Sequence, residues 1–355
     1  MAEDIYRELQ QRLDMYSIGF PATGSGIEIR ILKKLFSEDD ADMFLSLSHR
    51  LEEPDSLAKR INMPADEVKG RLEDMVSRGL LFRQNKDGKV RYAAIPFMMG
   101  ILEFQIKRIN REISEMFEQY FEEAFHKAIS GTEGLLMRTV PVEQSISLEH
   151  NVASFEDAVQ LIKSADVIAV ADCICRTEKI KMDKGCGKPL EACFIFGSLA
   201  RYYIENNLGR QVDFDEAVRI LKQAQDAGLV TQPATTRNAT GICNCCGNCC
   251  GVLQAIKKHP RPAEIVFSNY QAKIDEKACT GCGICLERCQ MGAITLNDAD
   301  TARLDLNRCI GCGLCVTTCP AYALSLFAKD PDRYRIPPEN SAAMMMELAQ
   351  KRGLI

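Results

Sequence analysis

Apolar positions recur at helical spacing through the first third of the chain. They predict short helices over residues 27–35, 39–51, 54–61 and 65–80. The last two are split by Asn62-Met63-Pro64. Pro64 suits a first helical turn, where a missing N–H costs little. Residues 81–95 then alternate as two strands around Asn85-Lys86-Asp87-Gly88. Asp-Gly in that setting is a strong hairpin signal. Beyond the hairpin, Leu102, Ile106, Ile109, Ile113, Phe117, Tyr120 and Ala124 fall at steps of four and three. They predict one long helix over 97–129 whose stripe packs on its own domain or docks a partner or a second copy. Further helices are expected at 155–164, 194–206 and 215–227, the last ending at Gly228, with a buried strand at 167–171. That strand runs into Asp172-Cys173-Ile174-Cys175-Arg176. After Pro337-Pro338 comes a short helix in which Met344, Met345 and Met346 read as packing residues.

The order helices, helix–turn–helix, hairpin resembles a winged-helix domain of the kind common in transcription regulators, over roughly 27–96. Such a domain would offer DNA Lys69, Arg71 and Arg78 from its second helix, and Arg83, Lys86, Lys89 and Arg91 from its wing. Glu67, Glu73 and Asp74 share the helix, however. Residues 1–130 carry net charge −4, residues 131–272 −1 and residues 273–355 0, which sum to the −5 of the whole chain. Nucleic-acid binding needs several uncompensated phosphate contacts, so DNA is not expected as a partner. Reuse of the unit for protein docking is the preferred reading.

Composition changes the picture more. The chain has 355 residues, 17 of them Cys, all between Cys173 and Cys319. The start shows no basic and apolar leader pattern, and no apolar run is long enough to span a membrane. A cytoplasmic location without an integral membrane segment is expected. There, dense cysteines are metal ligands before they are disulfides.

The C-terminal part holds an internal repeat. Cys279-x2-Cys282-x2-Cys285-x3-Cys289 is followed by Cys309-x2-Cys312-x2-Cys315-x3-Cys319-Pro320. The flanks Cys-Thr-Gly-Cys-Gly-Ile-Cys and Cys-Ile-Gly-Cys-Gly-Leu-Cys repeat too. This closely resembles a bacterial-type ferredoxin with two 4Fe–4S clusters. In that family three cysteines on a tight Gly-containing loop meet three corners of one cubane, and the fourth ligates the other cluster. The resemblance implies Cys279, Cys282, Cys285 and Cys319 for one cluster, and Cys309, Cys312, Cys315 and Cys289 for the other. The family usually places Pro after both fourth cysteines, whereas Gln290 follows Cys289 here. Zinc, which takes four ligands in pairs, fits this crossed repeat poorly.

Nine cysteines remain: Cys173, Cys175, Cys186, Cys193, Cys243, Cys245, Cys246, Cys249 and Cys250. Cys243, Cys246 and Cys249 have ferredoxin-like spacing. Cys173 and Cys175, if extended, would face one side, and Cys186 and Cys193 bracket a loop that closes on it. One site is therefore expected from Cys173 or Cys175 with Cys186 and Cys193, and another from Cys243, Cys246 and Cys249. The Cys/Asn/Gly run 244–251 reads as a ligand loop. Adjacent Cys245-Cys246 and Cys249-Cys250 argue against tidy disulfides. Arg176 and Lys188 sit beside candidate ligands, where positive charge favours thiolates. His49, His126, His150 and His259 show no metal spacing.

The segments Ala171–Arg176, Gly185–Cys193 and Ile242–Gly251 resemble a Cys-rich module found ahead of a two-cluster ferredoxin domain in iron–sulfur proteins of anaerobes. The resemblance implies one or two further 4Fe–4S clusters and electron transfer. A cluster with an open iron or spare thiolate that does chemistry, zinc, and disulfide remain as alternatives.

The expectation is a multidomain α+β protein. It has a helical winged-helix-like domain (1–130), an α/β Cys-rich module (131–269), a ferredoxin-like dicluster domain (270–327) and a tail (328–355). It would carry single electrons as a subunit or partner of an anaerobic oxidoreductase, with redox proteins as partners. The alternatives are a redox-sensing winged-helix regulator and a reductase with a substrate-binding cluster in its middle module. No G-x-G-x-x-G after a strand and no G-x-x-x-x-G-K-[ST] marks a second cofactor.

Overall fold

The computed structural model describes residues 4–142, 145 and 154–355. His150 and the first three residues lie outside them. The chain begins with a helix that the sequence reading missed, α1 (Ile5–Asp14), where Asp4 accepts a bond from the Tyr6 amide. Helix α2 (Ile27–Leu35) follows, then α3 (Glu38–Ser46), closed at its start by a Ser37/Asp40 capping box. α3 stops short of the expected 51. Ser48 donates to Glu52, and the Glu52 backbone exchanges bonds of 2.9 and 2.8 Å with Tyr92, so this stretch edges the hairpin instead.

Helices α4 (Pro54–Ile61) and α5 (Ala65–Ser77) lead to strands β1 (Phe82–Lys86) and β2 (Lys89–Ala93). The hairpin turns on Asp87 (φ 55°) and Gly88 (φ 74°), both left-handed as a type I′ turn requires. A Cβ at Gly88 would meet nothing within 4 Å, so Gly88→Ala carries only backbone strain. It should cost about 1–2 kcal/mol, read as a lower urea midpoint.

The long helix expected over 97–129 is broken. Met98, Met99 and Gly100 are non-helical, with Met99 at φ 60°. A single turn, α6 (Leu102–Phe104), comes next. α7 (Arg111–Tyr120) starts afresh, because Asn110 Oδ1 accepts from Ile113 N at 3.0 Å. A wide turn at Phe121–Phe125 leads to α8 (His126–Gly131). Side-chain caps at Asn110 and Glu103, whose carboxylate accepts from Gly100 N, compete with the helical ladder. The apolar stripe is turned inward. Ile113, Phe117 and Tyr120 are buried, and Phe20, Phe97, Tyr120 and Phe125 form one aromatic cluster.

The middle segment is built on a five-stranded antiparallel sheet ordered β5-β3-β4-β7-β6. After α9 (Ala158–Lys163), β3 (Ile168–Asp172) feeds α10 (Ile174–Lys181). β4 (Glu191–Phe196) takes residues expected to start a helix. Gly197 (φ 61°) turns the corner, and the helix, α11 (Gly197–Glu205), begins there. β5 (Arg210–Val212), α12 (Phe214–Asp226, capped by Asp213), β6 (Val230–Pro233) and β7 (Gly241–Cys245) complete the unit. α13 (Gly251–Lys258) and α14 (Pro262–Ile265) follow.

Two small sheets make the C-terminal unit. β8 (Tyr270–Ile274) pairs with β11 (Leu324–Ala328), and β9 (Ile294–Leu296) pairs with β10 (Ala302–Leu304). Helix α15 (Ile284–Arg288) lies between β8 and β9 in sequence, and α16 (Ser341–Lys351) ends the chain. Met344 is buried with Leu135 and Leu348, whereas Met346 is 58% exposed.

The compositional boundaries are not gaps in the core. One buried apolar cluster runs from Tyr6 to Leu314. Tyr202 of α11 donates to Leu81 O at 2.9 Å and packs against Phe82 and Phe104. Arg83 pairs with Glu205 at 2.6 Å. Among the described residues no helix is long and apolar enough to cross a membrane.

Candidate metal centres

The two halves of the C-terminal repeat are shaped alike. Gly281, Gly283, Gly311 and Gly313 all have φ between 69° and 76°. These left-handed residues flank the middle Cys of each loop and let it wrap round a centre. A Cβ at Gly311 would stand 2.1 Å from Tyr270 O, so the backbone there admits nothing larger. Cys279, Cys282, Cys285 and Cys319 line one cavity. The charges of Cys289 and Cys309 act on Cys312, and those of Cys312, Cys309, Cys289 and, most weakly, Cys285 act on Cys315, in keeping with a second group of Cys289, Cys309, Cys312 and Cys315. Amides point at sulfur in both groups. Ala302 N donates to Cys279 Sγ (3.4 Å) and Ala323 N to Cys319 Sγ (3.3 Å). Ala272 N donates to Cys309 Sγ (3.5 Å) and Ala293 N to Cys289 Sγ (3.2 Å). Four thiols round one hole, with N–H groups aimed at sulfur, suit a 4Fe–4S cubane.

The groups differ in depth. Cys282 is exposed, whereas Cys309 and Cys315 are buried. Burial pushes the Cys312 thiol up to about 12.

The nine middle cysteines fall into six and three, not the grouping the spacing suggested. Cys173 interacts with Cys175 and Cys193, Cys193 with Cys243, Cys243 with Cys245, Cys245 with Cys250, and Cys250 with Cys175. The ring closes on itself. All six thiols line one cavity of about 220 Å³, walled also by Met98, Phe104, Ile106 and Met345. Hydrogen bonds between ring neighbours make the thiols alternate. Cys173, Cys250 and Cys243 are lowered, Cys243 to about 5, while Cys175, Cys245 and Cys193 are raised.

The reason for this grouping is the strand β7. Cys243 and Cys245, two apart, face one side of it, and Cys193 on β4 sits directly opposite Cys243. Cys246 leaves the strand and turns away. Cys173 and Cys175 are not extended as expected: Cys173 caps α10 and Cys175 lies in its first turn. Cys250 caps α13.

Cys186, Cys246 and Cys249 make the second middle group, with their thiols all within 4.8 Å of one another. Cys246 is lowered to about 5 by its hydrogen bond with Cys249. All 17 cysteines are free thiols.

Arg176 lies between the two groups. It is 1% exposed. Burial opposes its charge, but electrostatic attraction to Cys173, Cys193, Cys245 and Cys246 outweighs it and raises its pKa. Nη1 donates to Asn244 O at 2.9 Å, while Nε and Nη2 have no partner among the described residues. Lys188, the other cation singled out, instead donates to Ala227 O. His126 Nδ1 lies 2.8 Å from Phe121 O, and His259 accepts from Arg261 N.

Glu103 was not picked out from the sequence, and Gln290 was noted only as a departure from Pro. Glu103 lines the ring cavity, where burial pushes its carboxyl up to about 7. Gln290 accepts from Gly247 N at 2.8 Å, linking the residue after Cys289 to the residue after Cys246. Its signal was the departure from Pro at that position: Pro carries no acceptor on its side chain.

A family model described as a 4Fe-4S dicluster domain matches residues 272–326. No curated protein and no solved structure matches the chain. The C-terminal segment is thus a dicluster domain, which implies two 4Fe–4S clusters and iron–sulfur electron transfer.

Proposed function

We propose that the chain relays single electrons between a redox partner and a centre buried in its middle module, as a cytoplasmic subunit or partner of an anaerobic oxidoreductase. The observation that carries this reading is the Gly247–Gln290 hydrogen bond, which joins the dicluster domain to the three-thiol group. A 4Fe–4S cubane, when bound, changes charge by one electron and does little bond chemistry with all four irons on Cys. Cys279, Cys282, Cys285 and Cys319 would hold one, and Cys289, Cys309, Cys312 and Cys315 the other. Cys186, Cys246 and Cys249 would hold three corners of a third. The exposed Cys282 marks the outer end, and Ile284 (39% exposed), which lines the same cavity, gives a partner protein apolar surface beside it. Arg176, whose Nε and Nη2 have no partner among the described residues, would face the sulfur of the inner centres.

The helices and hairpin over 27–93 support a winged-helix-like unit turned to packing. Their cations face their own acids: Arg71 meets Glu67 at 2.7 Å, Arg78 meets Asp40 at 2.6 Å and Arg83 meets Glu73 at 2.9 Å. A salt-sensitive gel shift on random or operator DNA would overturn that role.

Iron and acid-labile sulfide on anaerobically purified full chain test the main reading. At least about eight irons are expected from the dicluster domain and about four more from the three-thiol group. Reduction should give EPR signals of interacting clusters. Iron near zero sinks the proposal.

A further inference from the structure

We propose that Cys173, Cys175, Cys193, Cys243, Cys245 and Cys250 together bind one iron–sulfur cluster larger than a cubane. The proposal rests on the iron–sulfur reading of the chain, but the dicluster domain stands without it.

Number is the first argument. Each ring thiol interacts with two ring neighbours, and none is left outside. A cubane has four irons and takes four terminal thiolates. Zinc also takes four ligands. Six thiolates are two too many for either, and two separate cubanes would need eight. One cluster with six terminal thiolates satisfies all of them. Two four-iron halves, each on three thiolates and joined through shared sulfide at the remaining iron, have that count.

Size is the second. The cavity against Cys279, Cys282, Cys285 and Cys319 measures about 20 Å³, and the cavity lined by the six ring thiols and their apolar neighbours about 220 Å³. The same chain thus provides a four-thiol ruler, and the space that the six thiols face is far larger.

Charge is the third. A larger cluster on six thiolates is strongly anionic and has many sulfide acceptors. Arg176 is fully buried beside the ring, with Nε and Nη2 unpartnered among the described residues. Gln232 Nε2 lies 3.5 Å from Cys245 Sγ. Cys173 and Cys250 are the caps of α10 and α13, so two helix N-termini present their positive ends to the site. The remaining wall is largely apolar, which keeps water from competing for these donors.

Six single Cys→Ala variants of the full chain, purified anaerobically, test the assignment. Wild type should hold about twenty irons, of which about eight belong to the ring. Every one of the six variants should lose the ring's Mössbauer component and keep the EPR signal of the dicluster domain, which also reports folding. Two or more positions that tolerate substitution with full iron would be the bystanders of a cubane, and would overturn the proposal. So would a wild-type content of about sixteen. Should the variants misfold, iron anomalous scattering from wild-type crystals decides. One elongated feature reached by all six Sγ atoms is expected, and a compact feature reached by four refutes it. Failure of the wider reading is distinct, since it would leave no iron anywhere.

Discussion

Replacing Arg176 with methionine is expected to remove most iron from the middle module and to destabilise the chain by about 3–5 kcal/mol. Methionine keeps much of the volume and deletes the charge. The side chain is buried beside the six-thiol ring and the three-thiol group, and attraction to four of their cysteines sustains its charge. Without it, negative charge on both sides loses its counterion in a site of low polarity. A unit charge beside a centre is worth about 1–4 kcal/mol at an effective dielectric of about 20. Iron that stays bound should therefore be reduced at a potential lower by roughly 60 mV or more, since 59 mV is tenfold for one electron. Arg176→Lys keeps the charge and loses the fork that reaches Asn244 O. It should hold the potential near wild type while losing part of the stability. Urea midpoints and EPR-monitored redox titration measure both. An Arg176→Met chain with wild-type potentials and iron would show that the cation is packing material only.

Gly247→Ala should uncouple the dicluster domain from the rest. A Cβ there would stand 2.3 Å from Gln290 O, a backbone atom that cannot swing aside. The two loops must part, and overpacking of this kind costs about 1–3 kcal/mol. Separation breaks the bond from Gly247 N to Gln290 Oε1. After rapid mixing with a reductant too large to enter the core, the dicluster signals should develop at the wild-type rate. The middle centres should lag by roughly tenfold or more, the size of one 1.4 kcal/mol step in barrier. Gln290→Ala removes the side-chain acceptor without touching the backbone and should slow the same step less. Equal rates in both variants would mean that electrons take another path.

The hairpin and α4 were legible because their signals are local: Asp-Gly fixes a turn, and Pro54 and Pro64 mark helix starts. The dicluster repeat was legible because three-residue spacing and flanking Gly dictate the loop. Ligand grouping in the middle module was not. Cys243, Cys246 and Cys249 share a ferredoxin spacing, yet β7 runs through Cys245, and strand alternation sends Cys243 to the ring and Cys246 away from it. Whether a short apolar run is strand or loop depends on its neighbours, here β4 and β6. The helix expected over 97–129 failed for a related reason. Its stripe is real and buried, but Asn110 and Glu103 satisfy backbone amides with side chains and bend the path. α1 was missed although Tyr6, Leu9 and Leu13 sit on one face behind a capping Asp4.

The wall of the ring cavity draws on Met98 and Glu103 from before the first cysteine, and on Met344 and Met345 from the last helix. Such a chamber is closed only when residues on both sides of the cysteine-bearing segment have folded over it. A fragment cut to the cysteine-bearing residues alone would offer open thiols to oxygen instead of a closed vessel.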